Sequence, residues 1–210
     1  TGIEVDLVYR ATSGEYKSAQ RYGDDGSALL CNNNCRKNDY DEDSLQARIQ
    51  YRPSEDSSLG GFVGYTRRDY DQGNRNFRGL TAGFDTEWAV SGAVQMRASL
   101  GRSIEPDDDA VTGSYADTWS LNFSPTIQAT GKIIIDPFLR YYDRRYKGDQ
   151  LAAGEVERKD KIYMIGAEAD YEFRRNMFLM ASVSHEKRDS NRANLDYKAN
   201  IFGLGLKVQF

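Results

Sequence analysis

The chain closes on the stretch NIFGLGLKVQF, in which every even position from Phe202 to Val208 is apolar while the odd positions hold glycine, Lys207 and Gln209. A period of two marks a strand with one greasy face. The same alternation defines ten segments, near residues 2–11, 44–52, 59–68, 78–90, 93–102, 117–129, 132–145, 161–173, 177–188 and 198–210. It is cleanest in the sixth, where Trp119, Leu121, Phe123, Pro125, Ile127 and Ala129 alternate with Thr118, Ser120, Asn122, Ser124, Thr126 and Gln128. The eighth sets Tyr163, Ile165, Ala167, Ala169, Tyr171 and Phe173 against Gly166, Glu168, Asp170 and Glu172. Capped stretches of helical period are absent, and Tyr (14) and Phe (9) are abundant where Pro (4) is scarce, as an all-β chain requires.

The links between segments alternate in length. After the second, fourth, sixth and eighth segments they read PSEDSS, SG, TG and RRN; after the odd-numbered ones they are long and polar, the first running through residues 12–43. A sheet threaded through a membrane from one side has short turns at one end and long loops at the other. The pattern predicts an all-β, transmembrane, antiparallel up-and-down β-barrel of about ten strands. It forms one domain over residues 1–210, with both termini at the short-turn, periplasmic end. The expected location is the bacterial outer membrane, and the expected surroundings of the apolar face are outer-membrane lipid and lipopolysaccharide.

The aromatic residues divide in the same sense. With strand directions fixed by the links, outward-facing Tyr9, Tyr65, Trp119, Tyr141 and Tyr163 fall near the outer rim, and Tyr51, Trp88, Tyr171, Phe173 and Phe210 near the periplasmic rim. Trp and Tyr favour the two membrane interfaces. A soluble barrel of the lipocalin type is the alternative, but it keeps its apolar face inside, and Pro125 in the middle of a grease face speaks against it.

Composition changes this picture little. Negative mean hydropathy and the lack of an 18-residue apolar window would suit a water-soluble protein, yet a transmembrane barrel averages its two faces and scores the same way. The net charge of −4, with 28 basic residues dispersed among 32 acidic ones, argues against nucleic acid as a partner. The start at Thr1, without Met or an apolar leader, fits a processed product.

Inward positions are strongly charged. Glu4 and Asp6 are expected between Lys207 on the last strand and Arg48 and Arg52 on the second. Asp85 and Glu87 face Arg97; Glu168 and Asp170 neighbour Arg140, with Asp136 and Arg144 below and above, and Glu172 completes the set. Such a network either forms a selectivity ladder for a charged solute or closes the lumen with salt bridges. Ten strands enclose little more than side-chain space, which favours closure.

Other chemistry is thin. Cys31 and Cys35, five residues end to end in a polar loop, are expected to form a local disulfide; zinc would need four ligands. The one histidine, His185, falls on the outward parity near the outer rim, where it serves no lumenal catalytic arrangement. Asp39, Asp41 and Asp43 in NDYDEDS lack the glycine and closing glutamate of a calcium loop. GLGLKV lies inside a strand and opens no phosphate-binding helix. No catalytic residue, metal site or cofactor is expected, and the chain is not read as an enzyme.

The hairpin DYEFRRNMFLMASVSHEKRDSN and the last strand DYKANIFGLGLKVQF resemble the closing hairpins of the putative β-barrel porin 2 family of Gram-negative outer membranes. The terminal Phe210 resembles the C-terminal aromatic by which the assembly machinery recognises outer-membrane proteins. Family members commonly accompany exopolysaccharide export systems. The resemblance therefore implies an accessory or scaffold role in such a system, with another envelope protein of the export complex as partner. A small passive channel and a structural or adhesive surface barrel, binding through its long outer loops, are the alternatives.

Overall fold

The computed structural model describes residues 2–15, 21–22, 28–29, 39–71, 76–106, 115–147 and 156–209. Cys31, Cys35 and Phe210 lie outside the described residues. Thirteen strands follow one another with no helix among the described residues: β1 (Gly2–Gly14), β2 (Arg21–Tyr22), β3 (Ala28–Leu29), β4 (Tyr40–Ser54), β5 (Ser57–Tyr70), β6 (Phe77–Ser91), β7 (Val94–Pro106), β8 (Tyr115–Phe123), β9 (Thr126–Thr130), β10 (Ile133–Lys147), β11 (Lys159–Arg174), β12 (Met177–Ser190) and β13 (Tyr197–Val208). β2 and β3 form a small ribbon of their own. The others make one antiparallel up-and-down sheet in the order β1-β4-β5-β6-β7-β8-β10-β11-β12-β13, with β9 beside β7 and β10.

The ten predicted segments are thus the ten places in this row, and the alternation of links is reproduced. At one end the connections are two residues long: Glu55–Asp56, Gly92–Ala93, Gly131–Lys132 and Arg175–Asn176. Asn176 adopts a positive φ of 62°, which its short polar side chain tolerates, and its carbonyl accepts Gln209 N–H at 2.9 Å, tying the last strand to the turn. At the other end lie all the longer connections.

The sixth segment departs from expectation. It splits into β8 and β9 at Ser124–Pro125. The register pairs Leu139 with Phe123 and Ile135 with Ile127, which sets Pro137 of β10 opposite Pro125. Neither proline has an N–H to give, so the ladder opens there. On the other side, Ser124 N–H to Arg97 O (2.9 Å) and Gln128 N–H to Ala93 O (2.7 Å) hold the chain against β7 across the gap.

Among the described residues no ladder joins β1 to β13, so along its hydrogen bonds the sheet has two free edges. Among the described residues no backbone ladder sets Lys207 beside Glu4 and Asp6. Large side chains on the apolar parity are exposed in every strand of the row from β1 to β13, most of all at the edges, where Leu204 is 86% accessible. Burial concentrates instead near the long-connector end, at Phe77, Ala116, Thr118, Tyr146, Arg158, Asp160 and Ile162.

Candidate functional site

Register sorts the expected charged residues onto one face. Asp6 pairs with Arg48, Glu87 with Arg97, Asp136 with Glu168 and Arg144 with Asp160, each directly across a seam. Sharing a face does not bring them into ion pairs. Of the expected network, Glu87 and Arg97 meet at 3.5 Å, with Gln95 bonded to both. Asp136 accepts from Thr126 Oγ1 at 2.5 Å, Arg140 lies over the Phe138 ring at 4.6 Å, and Lys207 sits over Phe178 at 5.8 Å. Glu172 accepts the Asn176 backbone N–H at 3.3 Å. Glu4, Asp6, Arg48, Arg52, Asp85, Arg97, Arg140, Glu168 and Lys207 are exposed, while Asp170 and Glu172 are half-buried. The charges therefore do not pack into a plug, and the expectation of a salt-bridge-filled lumen is not what the described sheet displays.

The reason lies in glycine. Phe62 is directly opposite Gly83, Asp85 opposite Gly60, Phe138 opposite Gly166 and Ser182 opposite Gly203. In each pair a Cβ on the glycine would collide with the partner's side chain. Those side chains lie sideways across the neighbouring strand instead of standing out from the sheet. The result is a polar face of low relief, made by the close backbone approach that only glycine permits.

The densest chemistry is at the long-connector end. A row runs straight across four strands, Thr118 to Arg144 to Asp160 to Ser190. Asp160 is fully buried, and its carboxylate accepts from Arg158 Nη2 at 2.8 Å, from Ser190 Oγ at 2.6 Å and from Arg188 Nη2. Arg158 also stacks on Tyr146 at 4.1 Å. Two guanidiniums thus converge on one buried carboxylate, with Arg144 directly across the seam from it and Glu186 on β12 accepting the Tyr197 hydroxyl. Among the described residues, Thr118 Oγ1 and the Nε atoms of Arg144 and Arg188 are buried without a hydrogen-bond partner. Unpaired buried polar groups cost about 1–3 kcal/mol each.

Two further clusters share that end. Arg68 binds Glu42 at 2.6 Å through both Nε and Nη2, and its guanidinium lies over Tyr40 (4.0 Å) and Phe77 (5.5 Å). On the apolar face, Arg102 grips Asp117 with two 2.8 Å bonds, and Lys147 approaches at 3.8 Å. Sequence reading missed Glu42, Arg158, Asp160 and Ser190 because the predicted strands stopped short of them. Their signal was present, since Arg158 and Asp160 continue the polar even positions of β11.

Tyr9, Tyr65, Trp119, Tyr141 and Tyr163 lie on the apolar face toward the long-connector end, with Tyr141 and Tyr163 opposed at 5.0 Å between ring centroids and the Tyr9 hydroxyl donating to Asp43 at 2.6 Å. Tyr51, Trp88, Tyr171 and Phe173 lie toward the short turns. His185 is on the apolar face, its Nδ1 2.7 Å from Asn200 Oδ1, and takes part in no polar-face cluster.

Comparison with solved structures finds outer-membrane barrels. The copper transporter OprC superimposes with a TM-score of 0.51 at 10% identity, over 96% of this chain and 38% of that one, a likeness of fold alone. This chain therefore spans little more than a third of OprC. The beta domain of the Bordetella autotransporter BrkA aligns over 96% of this chain and 85% of its own, at 13% identity and a TM-score of 0.38. A search of the curated proteins finds no match. The family model described as putative beta-barrel porin 2 matches residues 57–210, nearly everything from β5 onward, and the chain belongs to that family.

Proposed function

We propose that the chain forms the wall of an outer-membrane β-barrel whose polar face lines an aqueous passage, with Arg144, Arg158 and Arg188 as its most selective station. The observation that carries this is the contrast between faces. Val5, Ile49, Val63, Leu80, Leu139, Ile165 and Val183, spread over the whole width of the sheet, are large, apolar and exposed. Soluble monomers rarely expose more than a few hundred Å² of contiguous apolar surface, whereas lipid covers such a face at no cost. Strands of 12–16 residues exceed the nine to eleven that a tilted crossing needs, which leaves their charged ends at the long-connector side beyond the hydrocarbon. Membership of a porin-like family and the fold likeness to OprC support the same location.

The polar face supports transport over catalysis. It is lined by dispersed, exposed charge, and its tightest cluster sets Arg144, Arg158 and Arg188 around Asp160, which favours anions. Reconstitution into planar bilayers tests this: discrete conductance with a reversal potential favouring chloride is expected in a potassium chloride gradient. A protein that inserts and conducts nothing would reassign it to a structural role. The setting implied by the family resemblance, beside an exopolysaccharide export system, draws support from the rings of Phe62 and Phe138 lying flat on the polar face, where a sugar polymer could slide. Co-purification of an export component from native membranes is the test of that setting.

A further inference from the structure

Three pairs of like charges stand directly opposite one another on the apolar face: Arg67 with Arg78, Arg145 with Lys159, and Lys187 with Lys198. Directly opposed side chains have Cβ atoms about 4.5–5.5 Å apart, and like charges there are destabilising. In every pair one member is neutralised by a carboxylate two residues away on its own strand. Arg67 binds Asp69 at 2.6 Å, Arg145 binds Asp143 at 3.3 Å and Lys187 binds Asp189 at 2.7 Å. The other member, Arg78, Lys159 or Lys198, is exposed, and among the described residues none has a carboxylate within 4 Å. A motif repeated three times around one sheet thus leaves one free cation each time.

All three pairs lie at the aromatic girdle or beyond it. Arg67 lies two residues beyond Tyr65 of the aromatic girdle, Arg145 four beyond Tyr141, and Lys187 pairs with Tyr163 itself. Read along a strand, this face runs from aliphatic side chains through aromatics to charged ones, cations with Asp43, Asp69, Asp117, Asp143 and Asp189 among them, and it does so toward the long-connector end. At the short-turn end the same face presents Ile3, Tyr51, Trp88 and Val208. A hydrocarbon slab, its interface and an anionic headgroup layer would produce that order on one side only.

Resting on the membrane reading above, we propose that Arg78, Lys159 and Lys198, each with its opposed cation, bind the phosphate groups of lipid headgroups in the leaflet on the long-connector side. A phosphate held by the cation that has no carboxylate balances the charge that Asp69, Asp143 and Asp189 leave over in each pair, and both guanidinium and ammonium groups are suited to it. A phosphorylated lipid fits better than free phosphate, because the pairs run from the level of the girdle to four residues beyond it, the zone in which headgroups lie.

The test uses the full chain in phosphatidylcholine vesicles, with and without phosphatidic acid as the phosphomonoester probe. Native mass spectrometry after mild extraction counts retained lipid. Wild type should retain phosphatidic acid over phosphatidylcholine, and Arg78→Gln, Lys159→Gln and Lys198→Gln should each reduce that preference about fivefold. Arg78→Lys should keep it, separating charge from misfolding. Equal retention of both lipids by an inserted wild-type protein overturns the proposal, as does displacement of phosphatidic acid by inorganic phosphate, which would make the ligand a free anion. Failure to insert even into phosphatidylcholine, read separately from the depth of Trp119 and Trp88, overturns the membrane reading and this proposal with it.

Discussion

Phe62 lies across Gly83, its directly opposed partner on the next strand, so closely that a Cβ on Gly83 would overlap the ring. This contact explains why a face rich in long side chains stays low. It also reverses the ordinary effect of replacing a strand glycine. Alanine usually gains about 0.5–1 kcal/mol over glycine within a strand. At Gly83 it should instead cost about 1–3 kcal/mol, because the ring must be displaced. Gly61→Ala is the control: its Cβ would meet only Gly83 O at 3.6 Å and the Ile49 side chain at 3.9 Å. Unfolding in detergent should show Gly83→Ala destabilised, Gly61→Ala unchanged or stabilised, and Gly83→Ala restored by Phe62→Ala.

Burial separates two ion pairs that a sequence pattern would rank alike. Asp160 is inaccessible and accepts from Arg158, Arg188 and Ser190, so Asp160→Ala leaves two guanidiniums stranded and should cost about 3–5 kcal/mol. Glu87 and Arg97 are roughly half exposed and 3.5 Å apart, so Glu87→Gln should cost less than about 1 kcal/mol. Parallel denaturation curves decide the matter, and a Glu87→Gln effect equal to that of Asp160→Ala would refute the ranking.

The arginine cluster should also set ion preference. Arg144→Gln and Arg188→Gln each remove a guanidinium with an unpartnered Nε, and should move the reversal potential in a potassium chloride gradient toward cations. Arg97→Gln, nearer the short turns and already engaged by Glu87, should move it less. An unchanged reversal potential in both cluster variants would remove the cluster from the passage.

Much of this fold was legible because period-two alternation needs no knowledge of partners: a residue's face follows from its parity, and Trp119, Tyr141 and Tyr163 could be placed from counting alone. Legibility failed at strand ends. Beyond the girdle the apolar parity turns polar, as at Lys159, Lys161 and Asp189, so alternation fades while the ladder continues, and with it went Arg158, Asp160 and Ser190. The facing of Pro125 by Pro137 was also hidden, since it depends on register between strands. The low relief of the polar face depends on which glycine meets which ring, and parity is blind to that.

The free edges carry the last prediction. β1 and β13 each pair on one side, with β4 and β12 respectively, so about half of their amides point away from any neighbour, whereas β11 is flanked on both sides by full ladders. Their apolar side chains are correspondingly the most accessible, Leu204 above all. Both edges present the same alternation, and the first strand of the row runs antiparallel to the last, so any arc of strands closing the ring must contain an even number of them or none. Hydrogen exchange in detergent distinguishes the cases. A barrel wall in lipid leaves no edge unpaired, so in the inserted protein alternate amides of β1 and β13 should be as protected as those of β11, whereas edges that stay free would exchange orders of magnitude faster because their opening requires no ladder to break. Protection of both edge strands equal to that of β11 would mean that the two edges find each other or a further strand, and the sheet would then be a closed ring.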